Sequence, residues 1–250
     1  SEPYQLGTEQ AFLSASIGVT LCPDDASDID SLMKNADQAM YAAKQQGRNG
    51  FQYFTPHMQQ RAQRRMRIIS DLRLALASEQ LWVAFQPIVS LATGQTLKAE
   101  ALIRWNHPGE GPIGPDTFIP IAEESGIITD LTRMVLTMAT RDCSTWPGQT
   151  TVAVNVSARD FRSGGVEAMV LAALEQSGLP PHRLEIEVTE TTVIEERTAA
   201  TAVLSAIRAR GVGVALDDFG TGYSSLSYLR ALPLTKLKID RSFVVDIETN

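Results

Sequence analysis

Acidic and amide side chains recur where the predicted strands of this sequence end. The stretch VALDDFGTGYSSL runs an apolar segment into two adjacent aspartates, Asp217 and Asp218, and continues into a glycine-containing loop. Asn155 and Glu187 stand at similar places in two earlier apolar segments. Neighbouring carboxylates repel each other unless a positive charge lies between them. The pattern therefore indicates a bound cation or a nearby amine.

The chemistry of such a set depends on its ligand atoms. Oxygen ligands suit hard divalent cations such as Mg²⁺ or Mn²⁺. The 3 histidines, His57, His107 and His182, fall outside these strand ends, so a zinc site built on His and Cys is not predicted. A carboxylate bridging two cations about 3.5–4 Å apart is typical of phosphodiester hydrolysis, where the metals activate water. Lys238 would hold that water or offset phosphate charge, and Arg104 would contact a phosphate.

Composition limits the class of protein. The chain has 250 residues, of which 44% are hydrophobic and 20% charged, as in globular proteins. A net charge of −7 argues against a nucleic acid polymer as partner. No apolar run is long enough to span a membrane, and the start lacks signal-peptide features. The two cysteines, Cys22 and Cys143, predict a reducing, cytoplasmic setting, although a membrane or sensor domain upstream would be compatible with it.

Strands and helices alternate from Leu81 onward. The predicted strands are LWVAFQPIV, TLKAEALIRW, TTVAVNVSA, RLEIEVTE, GVGVALDD and TKLKIDRSFV. The predicted helices between them are TFIPIAEES with IITDLTRMVLTMATRDC, then GVEAMVLAALEQS, then TTVIEERTAATAVLSAIRARG. This order predicts an α/β protein with a largely parallel sheet. Only SLATGQ separates the first two strands, so they are predicted to form an antiparallel hairpin.

The two faces of each predicted strand differ in polarity. Leu184, Ile186 and Val188 share one face of their strand, and Glu185 and Glu187 share the other. An open doubly wound sheet would be apolar on both faces. A TIM-like barrel fits better, with helices outside and functional residues at the C-terminal mouth. The alternative is an ordinary sheet whose polar faces are exposed to solvent.

The N-terminal segment, residues 1–56, is too small to fold alone. It contains a predicted strand, AFLSASIGVTLC, a helix capped by Asp28 and running to about Gln46, and a short strand, FQYF. Residues 57–80 are predicted as a connector helix with apolar positions Met66, Ile69, Leu72 and Leu76. A solvated connector is the main interpretation, and a basic face for nucleic acid or membrane is the alternative.

Ordered motifs in this sequence resemble a known family. EALIRW, NVS, EVTE, DDFGTGYSSL and KID occur in the order of the EAL-type cyclic-di-GMP phosphodiesterase domain, assigned here to residues 81–250. SIGVT, ADQAMYAAKQQGRNG and FQYF resemble the C-terminal end of a GGDEF-type diguanylate cyclase domain. The resemblance implies a (β/α)8 barrel with one antiparallel strand. As the sequence runs, that barrel would be truncated after its sixth strand.

The resemblance also implies a reaction and residue roles. The reaction is metal-dependent hydrolysis of cyclic-di-GMP to linear pGpG with two Mg²⁺ or Mn²⁺ ions. The implied metal ligands are Glu100, Asn155, Glu187, Asp217 and Asp218, and Asp218 would be the ligand shared with the second ion. Glu100, Asp217, Asp218 and Lys238 form the implied catalytic set, and Gln86, Leu102 and Arg104 would contact the substrate. Glu190 would anchor the loop after Asp218, which would also shape a homodimer surface.

Several alternatives remain at this stage. The GGDEF signature and the family's last two strands are absent, so this chain is expected to be a fragment that is itself inactive. The full protein would be the phosphodiesterase or, alternatively, a non-catalytic receptor for the dinucleotide. Lys236 and Lys238 would pair with Glu185 and Glu187 in a purely structural interpretation. Asp240 is open to either a structural or a functional interpretation.

Overall fold

The computed structural model describes residues 3–7, 9–220 and 232–245. The chain divides into two compact units, Ser1–Ser70 and Asp71–Asn250. Among the described helices, none is long and apolar enough to cross a bilayer. The predicted domain boundaries at residues 56 and 80 stay predictions.

The first unit contains short strands and one long helix. Its elements are β1 (Tyr4–Leu6), β2 (Glu9–Ala11), β3 (Ser16–Val19), α1 (Ile29–Gln45) and β4 (Gly50–Tyr53). The strands β3 and β4 pair in parallel, and β1 pairs with β2 antiparallel. The predicted cap is confirmed, because the Asp28 carboxylate accepts a hydrogen bond of 2.8 Å from the Ser31 amide. The long predicted strand AFLSASIGVTLC is wrong in extent, since its regular part is β3.

The connector helix is α2 (Pro56–Ala75), which ends before the predicted limit at residue 80. Its buried apolar residues are Ile68, Leu72 and Ala75, whereas Met66 is 66% exposed. Of the predicted apolar positions, Leu72 is buried and Met66 is exposed, so the predicted stripe through Met66 is wrong. The connector role of residues 57–80 stays a prediction. Two stripes of helical spacing overlap in this sequence, and only tertiary packing selects between them.

The second unit is built on a mainly parallel sheet. Its strands are β5 (Leu81–Val89), β6 (Thr96–His107), β7 (Gly111–Ile113), β8 (Thr151–Asn155), β9 (Leu184–Thr189), β10 (Gly213–Phe219) and β11 (Lys236–Ile239). They lie in the order β11-β10-β9-β8-β6-β5, with β7 beside β6. The predicted antiparallel pairing of β5 with β6 is confirmed. Strands β6, β8, β9, β10 and β11 pair in parallel, and β7 pairs antiparallel with β6. The short β7 was not predicted.

Helices connect the parallel strands. They are α3 (Pro115–Ser125), α4 (Ile128–Ser144), α5 (Ala158–Ser163), α6 (Val166–Ser177), α7 (Glu190–Glu195) and α8 (Arg197–Ala209). The last two were predicted as one helix, but the backbone leaves helical geometry at Glu196 (φ −114°, ψ 34°). The helix α5 was missed. A capping box of Ser157 and Asp160 begins α5 at residues that were predicted as the end of the preceding strand.

Both faces of the central strands are buried. In β9, Leu184, Ile186 and Val188 are fully buried, and so is Glu187, while Glu185 is 2% exposed. The interpretation as an ordinary sheet with solvent-exposed polar faces is therefore wrong. The edge strand β11 is less buried than β9, since its Leu237 is 43% exposed.

Candidate metal centre

Three carboxylates from three strands meet at the carboxyl ends of the sheet. Glu100 lies on β6, Glu187 on β9 and Asp217 on β10, and one oxygen of each lies within 4.8 Å of the others. Parallel strands carry residues of matching register to the same edge. Asn155 is thereby placed directly across from Glu187. This acidic cluster offers the hard oxygen ligands that divalent cations prefer.

The Lys238 ammonium group occupies the middle of the cluster. Its Nζ lies 3.2 Å from Glu100 Oε2, 2.6 Å from Glu187 Oε2 and 2.7 Å from Asp217 Oδ2. An ammonium has three hydrogen-bond donors, and each acid accepts one here. The structural ion pair of Lys238 with Glu187, one of the sequence-based alternatives, is therefore present. It is part of a larger contact that also includes the other two acids.

Asn155 completes the ring of polar side chains. Its Nδ2 donates a hydrogen bond of 2.8 Å to Glu100 Oε1. A half-turn of the same amide would present Oδ1 toward a cation. The predicted ligand therefore stands beside the cluster.

The electrostatics of the cluster follow from burial and from its one central amine. Burial would lower the pKa of Lys238, but hydrogen bonds to Asp217 and Glu187 outweigh it and raise that pKa. Burial raises the pKa of Glu187, and the Glu100 charge adds to the effect, while Lys238 and Lys98 oppose it. Lys238 is thus a charged hydrogen-bond donor at neutral pH.

Asp218 stands apart from the three clustered acids. Its backbone adopts the left-handed conformation (φ 52°), which Asp tolerates better than most residues. Its amide donates a hydrogen bond of 2.9 Å to Asp217 Oδ1. Burial, followed by the charges of Asp217 and Asp240, raises the pKa of its carboxyl. Its predicted role as the ligand shared with a second cation stays a prediction.

A groove of about 300 Å³ opens next to the cluster. Leu102, Arg104 and Asn155 line it, together with apolar side chains of α3 and α4. The Arg104 guanidinium donates to the Ile103 carbonyl at 2.9 Å. Gln86 is exposed on β5 directly opposite Glu100, outside the lining of the groove. The structure thus brings two of the three predicted substrate residues to one groove.

Glu190 lies buried at the start of α7. Its Oε2 accepts a hydrogen bond of 3.1 Å from the Gly220 amide. This contact joins Glu190 to the first residue after β10, as expected for a loop anchor. The rest of the predicted loop, including Gly222 and the proposed dimer surface, falls outside the described residues.

A family profile described as "EAL domain" matches residues 69–250 of this chain. The chain belongs to the EAL domain family. A second profile, "Diguanylate cyclase, GGDEF domain", matches residues 1–50. Both predicted resemblances are therefore confirmed.

Known relatives cover nearly the whole chain. It is 43% identical to the bifunctional diguanylate cyclase/cyclic di-GMP phosphodiesterase MucR of Pseudomonas aeruginosa. That match covers 99% of this chain and 37% of MucR. It is 42% identical to the cyclic di-GMP phosphodiesterase NbdA of the same species, in a match that covers 98% of this chain and 32% of NbdA. The chain thus spans about a third of the length of these curated relatives.

A solved structure supports the fold. The PaMucR phosphodiesterase in complex with c-di-GMP matches with a TM-score of 0.70 and 40% identity, covering 74% of this chain and 76% of that one. EAL domains are TIM-like α/β barrels, so the predicted fold class is confirmed. Over the residues described, the sheet of this EAL domain stays open between β5 and β11.

Sequence reasoning missed one buried residue of this EAL domain. Lys98 is 5% exposed and donates to Glu187 Oε1 at 3.1 Å and also to Glu185 Oε1. The available signal was strand parity, because Lys98 precedes Glu100 by one alternation and points to the same face. Glu185, which the sequence suggested to be structural, pairs with Lys98 and, at 2.8 Å, with Lys236.

Proposed function

We propose that this EAL domain hydrolyses cyclic-di-GMP to linear pGpG with Mg²⁺ or Mn²⁺. The observation that carries the proposal is the convergence of Glu100, Glu187 and Asp217 around Lys238 at the mouth of the sheet. A purely structural ion pair would need one acid, whereas this site gathers three. The family and the relatives named as cyclic di-GMP phosphodiesterases support the substrate.

Two cations would be held by the acidic cluster and its neighbours. Glu100, Glu187 and Asp217 would bind the first with Asn155, and Asp218 would share the second with Asp217. The fit rests on the donor set, because carboxylate and amide oxygens are the ligands that Mg²⁺ and Mn²⁺ prefer. Bound ions of this kind supply an activated water and stabilise the departing oxygen of a phosphodiester.

Lys238 would orient the attacking water rather than accept a proton from it. Its raised pKa keeps the ammonium charged, so Nζ has no lone pair for general-base work. Its three hydrogen bonds to the acids hold it at the centre of the site. A cation bound by these acids would take over those contacts, and the ammonium would then have donors for a water or a phosphate oxygen.

The groove beside the cluster would hold the dinucleotide. Leu102 offers an apolar contact, and Arg104 offers a planar set of donors that matches phosphate oxygens. Gln86 would reach the substrate from the neighbouring strand β5, where it faces Glu100. Water adds across one of the two phosphodiester bonds, so the ring opens and the linear dinucleotide leaves.

The partners and the setting of the domain extend this proposal. A homodimer would form through the loop after Asp218, anchored by Glu190. A cytoplasmic setting is supported by two free cysteines, Cys22 and Cys143. The acidic net charge of −7 suits a small ligand carried with metal better than a nucleic acid polymer.

The test compares two metals in the whole protein. Cyclic-di-GMP is incubated with the protein and Mg²⁺, and pGpG is quantified by chromatography. The same assay with Ca²⁺, whose coordination is larger and looser, should give far less product. Binding of the dinucleotide without any pGpG under Mg²⁺ would reject hydrolysis and support a receptor instead.

A further inference from the structure

A layer of charged side chains, two of them buried, lies one alternation behind the candidate metal centre on the strands. It consists of Lys98, Glu185 and Lys236, and we refer to it as the rear charge layer. Each member precedes a residue of the centre by one alternation on its own strand, namely Glu100, Glu187 or Lys238. The rear charge layer therefore faces the interior of the sheet, where barrels usually pack aliphatic side chains.

A continuous chain of ion pairs runs through the rear charge layer to the metal centre. The Lys236 ammonium lies 2.8 Å from Glu185 Oε2, and Glu185 Oε1 accepts from Lys98. Lys98 Nζ then reaches Glu187 Oε1 at 3.1 Å, and Lys238 takes the other oxygen of Glu187 at 2.6 Å. Glu187 is the point at which the rear charge layer meets the metal centre.

Stability alone gives a poor explanation of this arrangement. The side chains of Lys98, Glu185 and Glu187 are 6%, 3% and 0% exposed. Desolvating such charges is expensive, and apolar residues of similar volume are often as stable or more stable in their place. An interior Lys98 is therefore better explained by what it does to Glu187.

We infer that Lys98 is a positioning residue for Glu187 as a metal ligand. Its hydrogen bond occupies Oε1 and fixes the rotation of the carboxylate, so that Oε2 is the oxygen turned toward Glu100 and Asp217. Partners that orient a metal-ligating carboxylate are worth about 10–100-fold in metal affinity or activity. This inference rests on the metal centre in the proposed function.

A glycine on the neighbouring strand leaves room for the Glu185 side chain. A Cβ placed on Gly213 of β10 would lie 3.2 Å from Glu185 Cγ and 3.3 Å from its Oε2. A glycine at that position leaves room for the Glu185 side chain to reach Lys98. The rear charge layer thus depends on a fourth strand, β10, as well as on the three strands that carry its charged residues.

Charge and position predict opposite effects when Lys98 is removed. A nearby ammonium repels a divalent cation, so charge alone predicts that Lys98→Met tightens metal binding. Positioning predicts weaker binding, because Glu187 loses the bond that fixes its rotation. When the Glu185 charge is removed as well, the two charge effects offset each other, so charge alone predicts little change in metal affinity while positioning still predicts weaker binding.

The test measures Mn²⁺ binding by electron paramagnetic resonance of the free ion, without dinucleotide and without reference to turnover. The main variant is the double substitution Lys98→Met with Glu185→Gln, which removes both charges of the buried pair and leaves no unpaired carboxylate. Its Mn²⁺ affinity is expected to fall by about 10–100-fold. Its thermal unfolding in EDTA should stay close to that of the unmodified chain.

Lys236→Met is the matched control, because Lys236 contacts Glu185 but its side chain is 54% exposed. Its Mn²⁺ affinity should stay within about twofold of the unmodified chain, as for a surface ion pair. Equal or tighter Mn²⁺ binding by the double variant would overturn the inference. An equal loss in the control would overturn it too, since the effect would then belong to the whole layer.

Two further outcomes separate this inference from the proposed function. Absence of Mn²⁺ binding by the unmodified chain would overturn the metal centre and the inference together. Mn²⁺ binding that depends on Lys98, with no pGpG formed by the whole protein, would overturn hydrolysis and support the role of Lys98.

A second measurement uses the unmodified chain, so it does not depend on whether a substituted chain folds. The ammonium signals of Lys98 and Lys236 are followed by ¹H–¹⁵N NMR in the unmodified chain during a Mg²⁺ titration. A shift of the Lys98 signal with little change at Lys236 supports the inference. An unchanged Lys98 signal under saturating Mg²⁺ overturns it.

Discussion

The Lys238 ammonium donates a hydrogen bond of 2.6 Å to Glu187 Oε2, although their strands are not neighbours. Strand β10 lies between β9, which carries Glu187, and β11, which carries Lys238. The two side chains therefore meet across the inner face of the sheet, in front of β10. Strands two places apart lie about 10 Å from each other, and the long side chains of lysine and glutamate together close that distance. The contact puts a positive charge at the centre of three acids.

Replacing that charge should separate metal binding from catalysis. In Lys238→Met, pGpG formation by the whole protein is expected to fall by about 10²–10³-fold, as when one donor that stabilises a transition state is removed. Mn²⁺ affinity should be unchanged or higher, because a competing cation leaves the site. The two quantities are measured by chromatography and by electron paramagnetic resonance. Retained turnover in Lys238→Met would contradict a catalytic role for Lys238.

Asp218 should make the metal-free protein sensitive to pH. Its pKa is raised in the fold from 3.8, chiefly by burial and by Asp217. The folded state then binds the proton more tightly than the unfolded state. Stability therefore falls as pH rises from the unfolded pKa through the raised folded pKa, and stays lower above it. In EDTA at pH 7, Asp218→Asn should have a higher Tm than the unmodified chain, and the difference should vanish in acid.

Asp240 provides a control of opposite sign for that experiment. Hydrogen bonds from Ser242 lower the pKa of Asp240. Its carboxylate therefore stabilises the fold above the unfolded pKa, and this contribution is lost as pH falls through the folded pKa. Asp240→Asn should lower the Tm at pH 7 where Asp218→Asn raises it. Shifts of the same sign in both variants would refute the electrostatic account.

The buried contact of Glu190 with Gly220 should contribute measurably to stability. Glu190→Ala removes the acceptor of the Gly220 amide, and a lost partner of this kind costs about 1–3 kcal/mol. Urea unfolding followed by circular dichroism measures the change. Glu196→Ala is the control, because Glu196 pairs with Arg162, whose side chain is 57% exposed, and such a pair is worth about 0–1 kcal/mol. A cost for Glu190→Ala no larger than the control would argue against the anchor.

Gly220 is expected to tolerate no side chain. Its φ of 104° favours glycine, and an added Cβ would overlap the ring of Phe243. Gly220→Ala should therefore cost about 2–4 kcal/mol, from backbone strain and overpacking together. Gly178, with φ of 67°, ψ of 13° and open space around it, isolates the backbone part, so Gly178→Ala should cost about 1–2 kcal/mol. If urea unfolding gave the two alanine variants the same loss of stability, overlap with the Phe243 ring would not be the cause.

Local patterns predicted the elements better than their ends. The hairpin of β5 and β6 follows from two strand-like runs joined by a short polar turn, and its register pairs Gln86 with Glu100. The end of β8 and the start of α5 were misplaced. A capping box decides that boundary, since Asp160 accepts a hydrogen bond of 3.1 Å from the Ser157 amide. Side-chain caps compete with strand propensity over a few residues, which parity alone does not detect.

The burial of charged residues was the least predictable property. Glu185 and Lys98 have the residue types of a solvated surface, yet both lie inside the sheet. Their burial is tolerable because each neutralises the other, and that pairing links positions on β6 and β9. Parity placed Glu185 on the face that carries Glu187, and the same rule applied to Lys98 gives the face of Glu100. It does not show which partner each residue finds.

The sequence by itself determined the alternation of strands and helices, the face of each strand and the acidic residues at the strand ends. These are local properties, because side-chain alternation and helical spacing repeat over a few residues. Only the tertiary structure decided that Glu100 and Lys238, 138 residues apart in the chain, lie within 3.2 Å at Oε2 and Nζ. It likewise decided that Lys98 is buried against Glu187. The physical reason is that the strand order and register of the whole sheet set such distances, and no short stretch of sequence encodes them.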